Sequence, residues 1–178
     1  MPRPSPIRAF RLAATLAALA GLFTGSAVAQ EAGPSPYAIP LRMVDRLGVL
    51  VEDLAGDVEG LTLTPERIQA EAELQLRRAG LRINPENVTP PTLYFQVSVL
   101  CSASETCAVD ISSAVLQYVY LEPGAPRPFR AKTWHTGEIL LVPRNEVDAR
   151  VVAAVQGQVD ALAAELIHAR ASWSARAR

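Results

Sequence analysis

Cys101 and Cys107 are the two side chains whose type and spacing define a chemistry most narrowly. Residues 102–106 lie between them, a length that a hairpin can turn with both cysteines opposite one another on one face. A disulfide needs Cα atoms within about 7 Å, which a narrow hairpin meets. On the chain-entropy model so short a loop makes the bond worth about 2 kcal/mol. A redox-active pair of the thioredoxin kind has two intervening residues and stands at a helix start. A zinc site needs further ligands, and the chain adds only His135 and His168. A structural disulfide is the expectation, with free thiols as its alternative.

The remaining chemistry-bearing residues do not assemble into a recognisable site. There is no Gly-x-Ser-x-Gly elbow, no Gly-rich loop ending in Lys-Ser/Thr and no His-Glu-x-x-His. Lys132, the single lysine, lies beside Trp134 and His135 in a strand-like stretch. Strict strand alternation puts Lys132 and Trp134 on one face and His135 on the other, so Lys132 and His135 are not expected to converge on a substrate. His168 falls near the end of the last expected helix, an ordinary place for a capping side chain. Glu52 and Asp53 point to opposite sides of a strand, and Asp57 and Glu59 flank a turn whose spacing matches no calcium loop. Arg77, Arg78 and Arg82 gather at the end of the first expected helix, where the helix dipole accounts for them; an anionic ligand such as a lipid headgroup is the functional alternative. No catalytic, cofactor-binding or metal-ligating residue is assigned.

Composition bounds the class. The chain has 178 residues, 49% of them hydrophobic, and a net charge of −1. That is enough apolar material for one folded domain and argues against global disorder. The near-neutral charge argues against nucleic-acid binding through phosphate contacts.

The first 29 residues read as a secretory signal. Arg3, Arg8 and Arg11 precede the apolar run Leu12 to Phe23, and Ala27-Val28-Ala29 supplies small residues for cleavage before Gln30. The run is shorter than the ~20 residues that cross a bilayer. With no cysteine near the cleavage site, no N-terminal lipid anchor is expected, and no later apolar stretch reads as a transmembrane segment. Cleavage removes three arginines and leaves 14 basic residues against 18 acidic. The expected location is the bacterial periplasm, with secretion as the alternative, and either compartment favours the oxidised cysteine pair.

Period and punctuation then place the elements. Residues 30–44, with Gly33, Pro34, Pro36 and Pro40, read as an extended lead-in outside the core. A strand is expected over 46–54, a turn over 56–60, and a helix from Pro65 to Ala79 capped by Thr64 and stopped by Gly80. Its apolar stripe is Ile68, Ala72, Leu76 and Ala79. Strands follow over 81–83, 93–101, 107–121 and about 130–142. A long final helix begins after Pro143, with Asn145 as its cap and Asp148 completing a loose capping box. Val147, Val151, Val155, Val159, Leu162 and Leu166 run down one side of it. The tail 172–178 is expected to fray. The single domain spans 45–171.

The fold class is therefore α+β: a two-layer sandwich of a mainly antiparallel sheet of four to five strands, with two helices packed on one face. The element order resembles that of small periplasmic domains in envelope-assembly and Tol-associated proteins, a resemblance that covers no residue motif and implies arrangement alone. Leu47, Val49, Val51, Leu93, Phe95, Val97, Val99, Val109, Ile111, Val115 and Val119 should face the helices. The other face carries Tyr94, Gln96, Tyr118 and Tyr120, joined by Trp134, and is a candidate interaction face. The function expected is a small non-enzymatic binding or envelope accessory module acting through that face, or through an exposed strand edge, on an envelope protein. The alternatives are a lipid or hydrophobic-ligand carrier, and a small enzyme with a site built from loops 84–92 and 122–130.

Overall fold

The computed structural model describes residues 38–84, 90–120 and 126–176. The expected signal segment, the start of the lead-in, residues 85–89 of one candidate loop and 122–125 of the other lie outside them. The described chain runs α1 (Ala38–Leu41), β1 (Arg46–Val51), β2 (Ala55–Gly56), α2 (Pro65–Arg78), β3 (Arg82–Ile83), β4 (Thr92–Cys101), β5 (Thr106–Val119) and β6 (Phe129–Pro143). A 3₁₀ turn (Arg144–Glu146) then leads into α3 (Val147–Arg176).

One six-stranded sheet has the order β3-β1-β4-β5-β6, with β2 also beside β4. β4, β5 and β6 are antiparallel neighbours, whereas β1–β3, β1–β4 and β2–β4 are parallel. The parallel pairs follow from α2, which carries the chain back across the sheet between β1 and β3 as a parallel crossover requires. The architecture is an α+β sandwich.

α2 begins and ends where its sequence dictates. Thr64 Oγ accepts the Arg67 N–H at 3.2 Å, and Pro65 occupies the first turn. Gly80 takes φ +78°, and the N–H groups of Gly80 and Leu81 return to the carbonyls of Arg77 and Leu76 at 3.0 Å each. Ile68, Ala72 and Leu76 are fully buried; Ala79, expected as the fourth member of that stripe, is instead the exposed C-cap. Along α3, Val147, Val151, Val155, Val159, Leu162 and Leu166 are all buried. They meet Leu93, Phe95, Val97, Val99, Val109, Ile111 and Val115 from the sheet, and Val119 is only half-buried. The alternation of the strands thus delivers one complete apolar layer to the helices.

Four local expectations give way. The lead-in contributes to the core: Leu41 and Val44 are buried, and Arg170 Nη2 of α3 donates to the Val44 carbonyl at 2.6 Å. The first strand stops at Val51, and within the expected turn Ala55 and Gly56 pair with Ser98 and Val99 as β2. Asn145 does not cap α3, because it lies inside the 3₁₀ turn, which makes no side-chain cap hydrogen bond. Asp148 instead takes the Thr62 N–H at 2.9 Å and the Thr62 hydroxyl, tying the start of α3 to the loop before α2. Finally, the helix continues through Ser172 to Arg176, so His168 is an interior helical residue and not a terminal cap.

Candidate functional site

Cys101 and Cys107 are bonded to each other and face one another across the β4–β5 ladder. The bond closes the turn, where the Ser102 N–H donates to the Thr106 carbonyl at 2.8 Å and Glu105 takes φ +58°. Cys107 is fully buried, so the bridge lies on the helix side and leaves the opposite face to other residues.

That opposite face is uncovered by the two long helices. Its rows follow from register: Leu50, Tyr94, Ala114 and His135 form one, Gln96, Ser112 and Gly137 the next, then Ser98, Asp110 and Ile139, then Leu100, Ala108 and Leu141. Tyr118 and Tyr120 are more than half exposed, Gln96 is exposed and Tyr94 is half-buried. Gln96 Nε2 donates to Glu52 Oε2 at 2.7 Å, fixing the amide on the face.

Trp134 does not belong there. The β5–β6 register pairs Val115 with Trp134 but Leu116 with Lys132, leaving Thr133 as a bulge. The Thr133 hydroxyl donates to the Val115 carbonyl at 3.3 Å and to Gln117 Oε1 at 2.5 Å. Trp134 keeps the alternation of Thr136, Leu140 and Val142 and is buried among the core residues at 3% exposure, and the inserted residue turns Lys132 to the opposite face. The insertion also brings Lys132 and His135 to the same face, where strict alternation would separate them. Together with Tyr94, Gln96, Ser112 and Ala114 they line a shallow depression of about 100 Å³. The lysine ammonium, the tyrosine and serine hydroxyls and the glutamine amide offer donors to a carboxylate or a backbone carbonyl.

The disulfide end of the same face exposes large apolar side chains around Asp110. Leu100 is 65% exposed, Ile139 74% and Leu141 76%. Sequence reasoning passed over these three, although a signal was present. Ile139-Leu140-Leu141-Val142 is apolar at both parities of a strand, and only one parity can face the helices. Large apolar side chains clustered in the open mark an interaction site more often than isolated ones do.

The other candidates fall elsewhere. Arg77 donates to Glu73 Oε2 at 2.8 Å and Arg78 to Gln75 Oε1 at 3.5 Å, within α2 itself. Arg82 sits on β3 at the far edge, in register with Arg46. Asp57 Oδ2 accepts the Cys101 N–H at 2.8 Å, so that carboxylate anchors β4. Among the described residues no group of three His, Cys, Asp or Glu side chains is placed to hold a metal, and no helix is long and apolar enough to cross a membrane. No protein-family model matches this chain, and a comparison with curated proteins returned no match. The fold therefore defines it, as an α+β sandwich with one sheet face covered by helices and the other uncovered by any helix among the described residues.

Proposed function

We propose that this protein is a small non-enzymatic binding module of the bacterial envelope, exported by its first 29 residues and engaging a protein partner through the open sheet face. The observation that carries the reading is the joint exposure of Leu100, Ile139 and Leu141 beside a polar depression on a face that neither long helix covers. Apolar residues flanked by aromatic and hydrogen-bonding groups are the composition of a protein interface. The arginines of α2 are engaged within the helix, which weakens the lipid-headgroup alternative.

The periplasmic location rests on the signal-like segment and agrees with a disulfide, which persists in oxidising compartments. Co-purification of the tagged protein from its native envelope, followed by mass spectrometry, tests the function. A stoichiometric protein that is retained by the wild type and lost from Ile139→Asp supports it. A bound lipid or metabolite with no protein partner contradicts it and favours the carrier.

A further inference from the structure

We infer that the partner enters as an added strand on the outer edge of β6, antiparallel to it, with apolar residues toward its N-terminal end and acidic residues toward its C-terminal end. The inference rests on the binding-module reading and names the kind of partner.

β6 is the last strand in the sheet order, and no strand lies beyond it among the described residues. An edge strand leaves a row of N–H and C=O groups outside any ladder, and proteins blunt such edges with lysines, prolines or bulges. On β6, Lys132 and the bulge at Thr133 fall in the first half, Pro143 closes the strand, and Glu138 is the one charged residue between Trp134 and Val142. From Trp134 to Val142 it runs in unbroken register with Val115 to Cys107 and contains neither lysine nor proline. That stretch offers about 30 Å of strand, and most of its residues from His135 to Leu141 are exposed.

Side chains along the edge give the added strand a direction and a composition. On the open face the order is Leu141, Ile139, Gly137 and His135, then Lys132 and Arg130 beyond the bulge. One end is apolar and the other basic. Residues directly opposite in an antiparallel pair share a face, so an incoming strand meets Leu141 and Ile139 first and Lys132 and Arg130 last. Backbone hydrogen bonds supply the attachment in this mode, and alternate side chains supply the selection. A second copy of β6 fits poorly. Antiparallel self-pairing along the whole strand sets the basic half against the apolar half, and pairing the apolar halves alone leaves Lys132 and Arg130 outside the ladder.

The test is calorimetric titration of the folded protein with a synthetic peptide alternating Thr with Val in its first half and Thr with Glu in its second. A matched peptide carrying Lys for Glu serves as the comparator. The Glu peptide should bind about tenfold or more tightly than the Lys peptide. Arg130→Glu with Lys132→Glu should reverse that order, and Ile139→Lys should weaken both at unchanged melting temperature. No binding of the Glu peptide, equal binding of the two, or no reversal in the double variant overturns the added strand. If the native partner is lost from Tyr118→Ala or Gln96→Ala while neither peptide binds, the added strand is overturned and the open face stands. A dimer abolished by Ile139→Lys in sedimentation also overturns it, in favour of a second copy.

Discussion

Lys132 and Trp134 stand two residues apart on one strand and face opposite sides of the sheet. Trp134 pairs with Val115 and is buried, whereas Lys132 pairs with Leu116 and lines the open-face depression. Residues two apart on a regular strand share a face; the unpaired Thr133 between them takes up the difference. One inserted residue separates the lysine from the buried indole and joins it to His135 on the candidate surface.

The division between faces predicts unequal costs. Trp134→Ala should destabilise the domain by about 3–5 kcal/mol, the usual loss for a buried large aromatic. Tyr118→Ala, on the exposed side, should cost no more than about 0.5 kcal/mol. Urea denaturation of both variants checks this, and similar costs would contradict the placement of the bulge.

Most of the core was legible in the sequence because it depends on period alone. Val147 to Leu166 and Leu93 to Val99 are buried where a helical and a strand repeat put them. What was not legible depends on partners distant in sequence. Thr133 reads as an ordinary strand residue until β5 fixes its register, so strict alternation puts Lys132 on the face of Trp134. Asp148 reads as a capping-box residue until Thr62 is beside it, 86 positions away. Ala55 and Gly56 carry no strand signal of their own and acquire one from Ser98 and Val99.

Gly56 should be intolerant of any side chain. Its φ is +86°, and a Cβ there would collide with the Val99 carbonyl oxygen. Left-handed strain and overpacking add, so Gly56→Ala should cost at least about 2 kcal/mol. A thermal melt within a degree of wild type would show that β2 does not lie against β4 as described.

Glu66 should contribute to the acid limb of stability. A hydrogen bond from its own backbone N–H, and then one from the Thr64 side chain, hold its carboxyl below the ordinary 4.5. A folded value below the unfolded one gives stability that is present above the unfolded value and lost as pH falls through the folded one. Glu66→Gln should therefore lie below wild type at neutral pH and converge with it as the pH drops below about 4.5. A gap that is constant with pH would exclude this contribution.

Reducing the Cys101–Cys107 bond, or replacing both residues with serine, should cost about 2 kcal/mol through the loop it closes. Thiol titration of the unfolded wild type without reductant should find no free cysteine. Two free thiols, with a melting temperature unaffected by reductant, would contradict the bridge.

The most direct test of the central claim is site-specific photo-crosslinking in the native envelope, with the crosslinker placed either at Gln96 on the open sheet face or at Ala164 on the exposed side of α3. A discrete protein adduct from Gln96 and none from Ala164 is the predicted result. Adducts from Ala164 alone, or a lipid in place of a protein at Gln96, would contradict the account.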